Sequence, residues 1–269
     1  MKIGHVTVAV ICILVCISGI AWAEGKMKFG LSVATLDNPY FIEVAAGFKD
    51  RCKELGVEPI VADAKYDAAL QNDQFENFMA MGVKAMSACP VDQRGLGLVT
   101  QKAVDKGIIV VSEAQKIDNA SGHVIVDDYG YGVVNGQNAA KWINNKMGGK
   151  AEVLLLTLDH VEAVKLRGDG MQDIITKECP DSKIVARQYA ESMEKAMNIV
   201  DSVLTANPNV RVISCVNDQL ALGALAAVMS KGIKDELFYI GGADFTKEAQ
   251  SKMALPGSYF RVTVDIGPR

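Results

Sequence analysis

Lys28-Phe29-Gly30-Leu31-Ser32-Val33-Ala34, running straight into Thr35-Leu36-Asp37-Asn38-Pro39-Tyr40-Phe41, decides the architecture. The first seven residues are a short apolar strand. The next seven open a helix: Asn38 is placed to cap it, Pro39 suits an early helical position, and Tyr40 and Phe41 fall in the first turn. Phe41, Ala45, Phe48, Cys52 and Leu55 then recur at three- and four-residue steps along one face, and Gly56 ends the helix. The same alternation continues outward. Strands are predicted at Ile60 to Ala62, Val83 to Ala88, Ile108 to Ser112 and Val124 to Val126, with a helix carrying Phe75, Phe78 and Met79 and ending at Gly82. A second set follows, with strands at Ala151 to Leu156, Lys183 to Tyr189, Val210 to Cys215, Leu237 to Gly242 and Tyr259 to Val264. Helices fall near 130–146, 162–178, 193–206 and 218–231, and Asn207-Pro208-Asn209 makes a turn. Strands alternating with helices require right-handed crossovers, so the fold class is α/β, with two doubly wound parallel-sheet lobes joined by a hinge. The crossing between lobes is placed at Asp127-Asp128, giving lobes at 24–127 and 128–264.

The ends and the composition set the compartment and the partners. Lys2, the apolar run Val6 to Ile20 and the small-x-small sequence Ala21-Trp22-Ala23 read as a secretory signal at 1–23, cleaved after Ala23. That run is shorter than the ~20 residues of a membrane-spanning helix. The formal net charge is −4 and no long basic cluster stands out, which disfavours nucleic acid as a partner. Cys52, Cys89, Cys179 and Cys215 lack the spacing of a disulfide framework or a metal site and are read as buried thiols.

Ligands of doubly wound sheets sit at the carboxyl ends of the strands. The residues there are Asn38-Pro39-Tyr40-Phe41, Leu166-Arg167-Gly168-Asp169-Gly170 in the second lobe, Asn217-Asp218-Gln219-Leu220-Ala221-Leu222-Gly223-Ala224 after one strand, and Gly241-Gly242-Ala243-Asp244 after the next. In this order these markers resemble the ribose/galactose-type periplasmic binding proteins, over Lys28 to Arg269. The resemblance implies an ABC transporter substrate-binding protein of the type 1 periplasmic fold, located in the periplasm. It would capture a small neutral sugar or polyol by hinge closure, without a cofactor or catalysis, and present it to a permease in the inner membrane. The alternative role on the same fold is the ligand-binding subunit of a chemoreceptor or sensor kinase.

The chemistry of those positions suits such a ligand. A polyol offers adjacent hydroxyls around a ring with apolar faces, and its site needs paired hydrogen-bonding groups between aromatic walls. Tyr40, off the buried stripe, supplies a ring face, while Phe41 serves equally as a staple of helix to sheet. Arg167 brings a fork of donors, Asp244 accepts from two hydroxyls, and Asn217 does both. Each also has a purely structural reading: Arg167 as a surface ion pair, Asn217 as a helix cap, Asp244 as the start of the helix near Thr246. The resemblance adds Asn38, Gln115, Glu191 and Asp265 to the ligand-binding set. Two departures from the family follow. Where relatives carry an Asp-Arg pair, this chain has Glu113-Ala114-Gln115, and Glu191 stands near an expected aromatic wall. One arginine fewer and one carboxylate more favour a neutral polyhydroxyl compound, with or without an amine, over an acid. The chain is also expected to stop at 265–269, at the start of a return to the first lobe, leaving part of that lobe's sheet missing and a strand edge exposed.

Other classes fit less well. A nicotinamide enzyme needs a glycine-rich turn after the first strand, and Val33-Ala34-Thr35-Leu36-Asp37 has none. A sugar-responsive repressor needs an N-terminal helix-turn-helix where the signal stands. No catalytic or metal-ligand constellation is evident around His5, His123 and His160; His160 follows a second-lobe strand, where a residue of this kind is more often a solvated loop histidine than one facing the cleft.

Overall fold

The computed structural model describes residues 26–265, so the predicted signal at 1–23 and its cleavage site lie outside the described residues. The chain runs β1 (Lys28–Val33), α1 (Pro39–Glu54), β2 (Glu58–Asp63), α2 (Ala68–Ala80), β3 (Ala85–Ala88), α3 (Gly97–Asp105), β4 (Ile109–Ala114) and β5 (Gly122–Ile125). It continues through α4 (Asp128–Met147), β6 (Glu152–Thr157), α5 (Glu162–Glu178), β7 (Lys183–Tyr189), α6 (Met193–Ala206), β8 (Val210–Cys215), α7 (Asp218–Ser230), β9 (Tyr239–Ala243), α8 (Lys247–Met253) and β10 (Phe260–Val264).

Two five-stranded sheets result, in the orders β2-β1-β3-β4-β5 and β10-β9-β8-β6-β7. All of their pairings are parallel. Each sheet is covered by apolar helix faces, as a parallel sheet requires. In the first lobe Phe75, Phe78, Val83, Leu96 and Ile117 form one core, and Leu31, Val33, Phe41 and Ala45 another. In the second lobe Leu154, Leu156, Val200, Ile213, Leu220 and Phe260 are enclosed with almost no exposure. The apolar periodicity is therefore realised as predicted, with one exception. Leu55 lies outside the α1 stripe as its C-cap and is 54% exposed, because the helix ends before that face returns to the sheet.

Strand β4 runs two residues beyond Ser112, its extension held by pairing of Glu113 with Val124 and Ala114 with Ile125. The expected crossing near Asp127-Asp128 coincides with the start of α4, whose first residue is Asp128 and whose cap is Asp127, accepting from the Gly130 amide. Among the described residues, Cys52, Cys89, Cys179 and Cys215 are free and buried. Among the described residues, no helix is long and apolar enough to cross a membrane.

Candidate functional site

The strand ends of the two lobes face each other across a cavity of ≈ 80 Å³. One water takes up ~10–15 Å³ on that measure, so the space suits a molecule with about the bulk of several waters. The first lobe contributes Ala34, Asn38, Tyr40, Phe41, Tyr66, Cys89, Pro90, Val91, Ala114 and Gln115, and the second contributes Leu158, His160, Val161, Val164, Arg167, Asn217 and Asp244. Val126 and Asp128 line it from the crossing.

Local sequence explains how these groups are aimed. Asn38 caps α1, accepting from the Tyr40 amide at 3.0 Å, and Pro39 follows as expected. Tyr40 and Phe41 stand edge to face with ring centroids 5.1 Å apart. Tyr66, after β2, has a left-handed backbone at φ 56, and Ala114 at the end of β4 has φ 62. Conformations of this kind in non-glycine residues persist where the surroundings hold them, and they cluster at binding sites. A buried amide network supplies part of that hold. Gln71 donates to Ser32 and to the Cys89 carbonyl and accepts from the Val91 amide, while Ser32 and Gln74 tie the end of β1 to that of β2.

The charged centre belongs to Arg167, which is buried on α5. Its Nε and Nη2 donate to Asp128 Oδ1 at 3.0 and 2.7 Å, and its Nη1 donates to the Val216 carbonyl at 2.8 Å and to Asp244 Oδ1 at 3.2 Å. Burial opposes the guanidinium charge, but the carboxylates of Asp244 and Asp128 outweigh it and hold the pKa above its ordinary value. Asp244 itself, with φ 106, is pushed up by burial against the pull of Arg167. The surface ion-pair alternative for Arg167 is thereby replaced by a buried bridge between two aspartates.

Asn217 does cap α7, accepting from the Leu220 amide at 2.9 Å, and it lines the cavity as well. The cap of α8 is Thr246 rather than Asp244, which leaves the latter facing the cavity. Thr246 also donates through its amide and hydroxyl to Asp218, whose other oxygen accepts from Thr263 at 2.6 Å.

A domain profile described as "periplasmic binding protein domain" matches residues 29–262, nearly the whole described chain. The ribose import binding protein of Bacillus subtilis is 30% identical over 226 residues, covering 83% of this chain and 72% of that protein. The chain belongs to the periplasmic binding protein family. Among solved structures, an ABC transporter periplasmic solute binding protein from Actinobacillus succinogenes with bound D-allose superposes with a TM-score of 0.77 at 29% identity, covering 85% of this chain and 82% of that one. A Caulobacter myo-inositol binding protein, bound to myo-inositol, gives 0.74 at 25% identity, covering 86% and 79%. The α/β fold with two parallel-sheet lobes is thus that of the type 1 periplasmic binding proteins.

In this periplasmic binding protein, seven of the nine residues singled out from the sequence meet around one cavity: Asn38, Tyr40, Phe41, Gln115, Arg167, Asn217 and Asp244. Glu191 and Asp265 are not brought to its wall. Glu191 turns instead to Lys195, one helical turn on, at 2.6 Å, which with Tyr189 draws its pKa down. Asp265 is exposed at the end of β10. Sequence reasoning did not assign Asp128, Tyr66 or Glu113 to the site. Asp128 carried a signal as an acidic residue in a first helical turn at the lobe crossing. Glu113 stands out in the sequence only as a departure from the family pattern, and its hydrogen-bonding partners are Tyr40, 73 residues away, and Cys89.

Proposed function

We propose that this chain is the substrate-binding component of an ABC transporter, exported to the periplasm, that captures a small polyhydroxyl ligand between its lobes. The observation that carries the reading is the cavity itself. Aromatic faces from Tyr40, Phe41 and Tyr66 and donors from Asn217, Gln115 and Arg167 converge from two lobes on one small space, with Asp128 and Asp244 as acceptors. Apolar walls take up the C–H faces of a ring, and the paired polar groups take up its hydroxyls. The names of the relatives, which concern ribose, D-allose and myo-inositol, point to the same ligand class.

Closure is the working step. Contacts to both lobes favour the closed arrangement over the open one, so ligand shifts the equilibrium by its differential affinity, and the closed form is what a permease would engage. Thermal-shift and calorimetric screening of the intact protein against D-ribose, D-allose, myo-inositol and related polyols and amino sugars tests this. Saturable, one-to-one binding of at least one polyhydroxyl compound is expected. Absence of binding across the panel would contradict the reading.

A further inference from the structure

The charges around the cavity do not balance. Two carboxylates line it, Asp128 and Asp244, and a third, Glu113 on β4, stands behind Tyr40 and accepts its phenolic hydrogen. Asp218 lies close by, with its oxygens taken up by Thr246 and Thr263. Against these there is one cation, Arg167. No lysine lines the cavity, and Arg187, on β7, is occupied by Asp159 and Asp169. Burial lowers the pKa of His160 despite Glu191 and Asp159 nearby, which works against its carrying charge. The remaining titratable lining groups, Tyr40, Tyr66 and Cys89, are all held in their neutral forms by burial. Buried charge that is not paired is costly.

The hydrogen-bonding valences run the same way. The carbonyl oxygens of Asn38 and Asn217 are used as helix caps, that of Gln115 accepts from Gln93 at 2.9 Å, and the Asn38 amide also donates to Tyr66, so Asn217 and Gln115 are the amides that chiefly offer the ligand donors. Tyr40, its hydrogen committed to Glu113, offers only an acceptor oxygen. Arg167 engages one oxygen of each aspartate, and the Asp218 amide donates to Asp244 as well. The amides and the guanidinium satisfy hydroxyl oxygens. What is left over is a set of anionic acceptors beside aromatic rings, the surroundings that stabilise an ammonium group.

Resting on the reading of this cleft as a polyol site, we infer that the ligand is an aminated polyol, such as an amino sugar or aminocyclitol, whose protonated amine is held by the Asp128 and Asp244 carboxylates and by the Tyr40 oxygen backed by Glu113. Before the amine binds, a proton takes its place on Asp244, whose pKa burial lifts to about 8, and burial raises that of Glu113 in the same direction. When the ammonium enters, the carboxyl proton leaves to the buffer and the ligand keeps its own, so binding near neutral pH releases a proton.

The test is titration calorimetry of the intact protein with matched pairs, D-glucosamine against D-glucose and an aminodeoxyinositol against myo-inositol, in phosphate and in Tris. The aminated member of at least one pair is expected to bind about tenfold or more tightly than its parent, the size of one charge-assisted contact. Its apparent enthalpy should differ between the two buffers in the direction of proton release. Glu113→Gln keeps an acceptor for Tyr40 but removes the charge, and Asp128→Asn does the same beside Arg167. Each should reduce the ratio of aminated to parent affinity severalfold, with melting curves confirming that the variants fold. Parent compounds that bind as tightly as their amines, or a ratio indifferent to both substitutions, would overturn the amine while leaving the polyol site standing. If neither member of any pair binds, and the unmodified polyols of the wider panel fail too, both readings fall together.

Discussion

Asp244 shows how much of this site turns on a single side chain. It sits at the end of β9 with a left-handed backbone, shares Arg167 with Asp128, and has its pKa lifted by burial to about 8. An aspartate in the unfolded chain titrates near ~3.9. Between those values the folded protein holds a proton that the unfolded chain has released, so stability falls as pH rises through the window. Asp218, lifted to about 6 by burial, contributes with the same sign at the lower end. Asp169, Asp235 and Glu191 have lowered pKa values, so their contribution has the opposite sign and belongs to the acid side of this window. The melting temperature of the ligand-free protein is therefore expected to fall between pH ~6 and ~8, and Asp244→Asn should flatten that part of the profile. A parent profile that rises over this interval would show that Arg167 keeps the carboxyl ionised throughout.

The meeting of Asp128 with Arg167 depends on how two helices cross. Asp128 opens α4 and Arg167 lies in the first half of α5, and the helices approach so closely at their glycines that side chains are excluded. A Cβ on Gly132 would stand 2.0 Å from the Arg167 carbonyl oxygen, and one on Gly170 would stand 2.5 Å from the Tyr129 carbonyl oxygen. Gly132→Ala must push α5 away and with it the guanidinium. Overpacking of this kind costs about 1–3 kcal/mol, or roughly 2–4 °C of melting temperature per kcal/mol for a chain of this size. The same substitution should weaken ligand binding, and unchanged melting and affinity would mean the crossing has slack that the structure does not show.

This is also the scale at which the sequence was most and least legible. Helix spans 162–178 and 193–206 and the strand Lys183 to Tyr189 coincide with the structure, because continuous apolar periodicity bounded by turn residues is a local signal. The strand-end positions of Asn38, Asn217 and Asp244 followed from topology and the family markers, and Arg167, on the helix after a strand, from the markers alone. The partners of those residues did not follow. Nothing local to Arg167 announces Asp128, 39 positions earlier, and nothing local to Tyr40 announces Glu113. Glu191 stands close to a strand end, but Lys195 in the first turn of the following helix is its ion-pair partner.

For the molecule as a whole, the two lobes touch beside the cavity as well as around it. Gln219 Nε2 on α7 donates to the Asp37 carbonyl at 3.1 Å, and the Lys247 amide donates to Glu43 on α1 at 2.7 Å. On the proposed closure, these contacts form only when the lobes are together and would stabilise the closed arrangement without touching ligand. A hydrogen bond of this type contributes about 0.5–1.5 kcal/mol, and Gln219→Ala should weaken affinity by roughly 2- to 10-fold, by lowering the closed population. An affinity equal to the parent's would show that Gln219 plays no part in closure. The central claim, one ligand held jointly by both lobes, is tested most directly by amide hydrogen exchange on the intact protein with and without whichever compound of the panel binds. Protection is expected to rise together at Asn38 to Phe41 and Ala114 to Gln115 in the first lobe and at Asn217 to Leu220 and Asp244 to Thr246 in the second. Protection gained in one lobe alone, or at surfaces away from these strand ends, would contradict it.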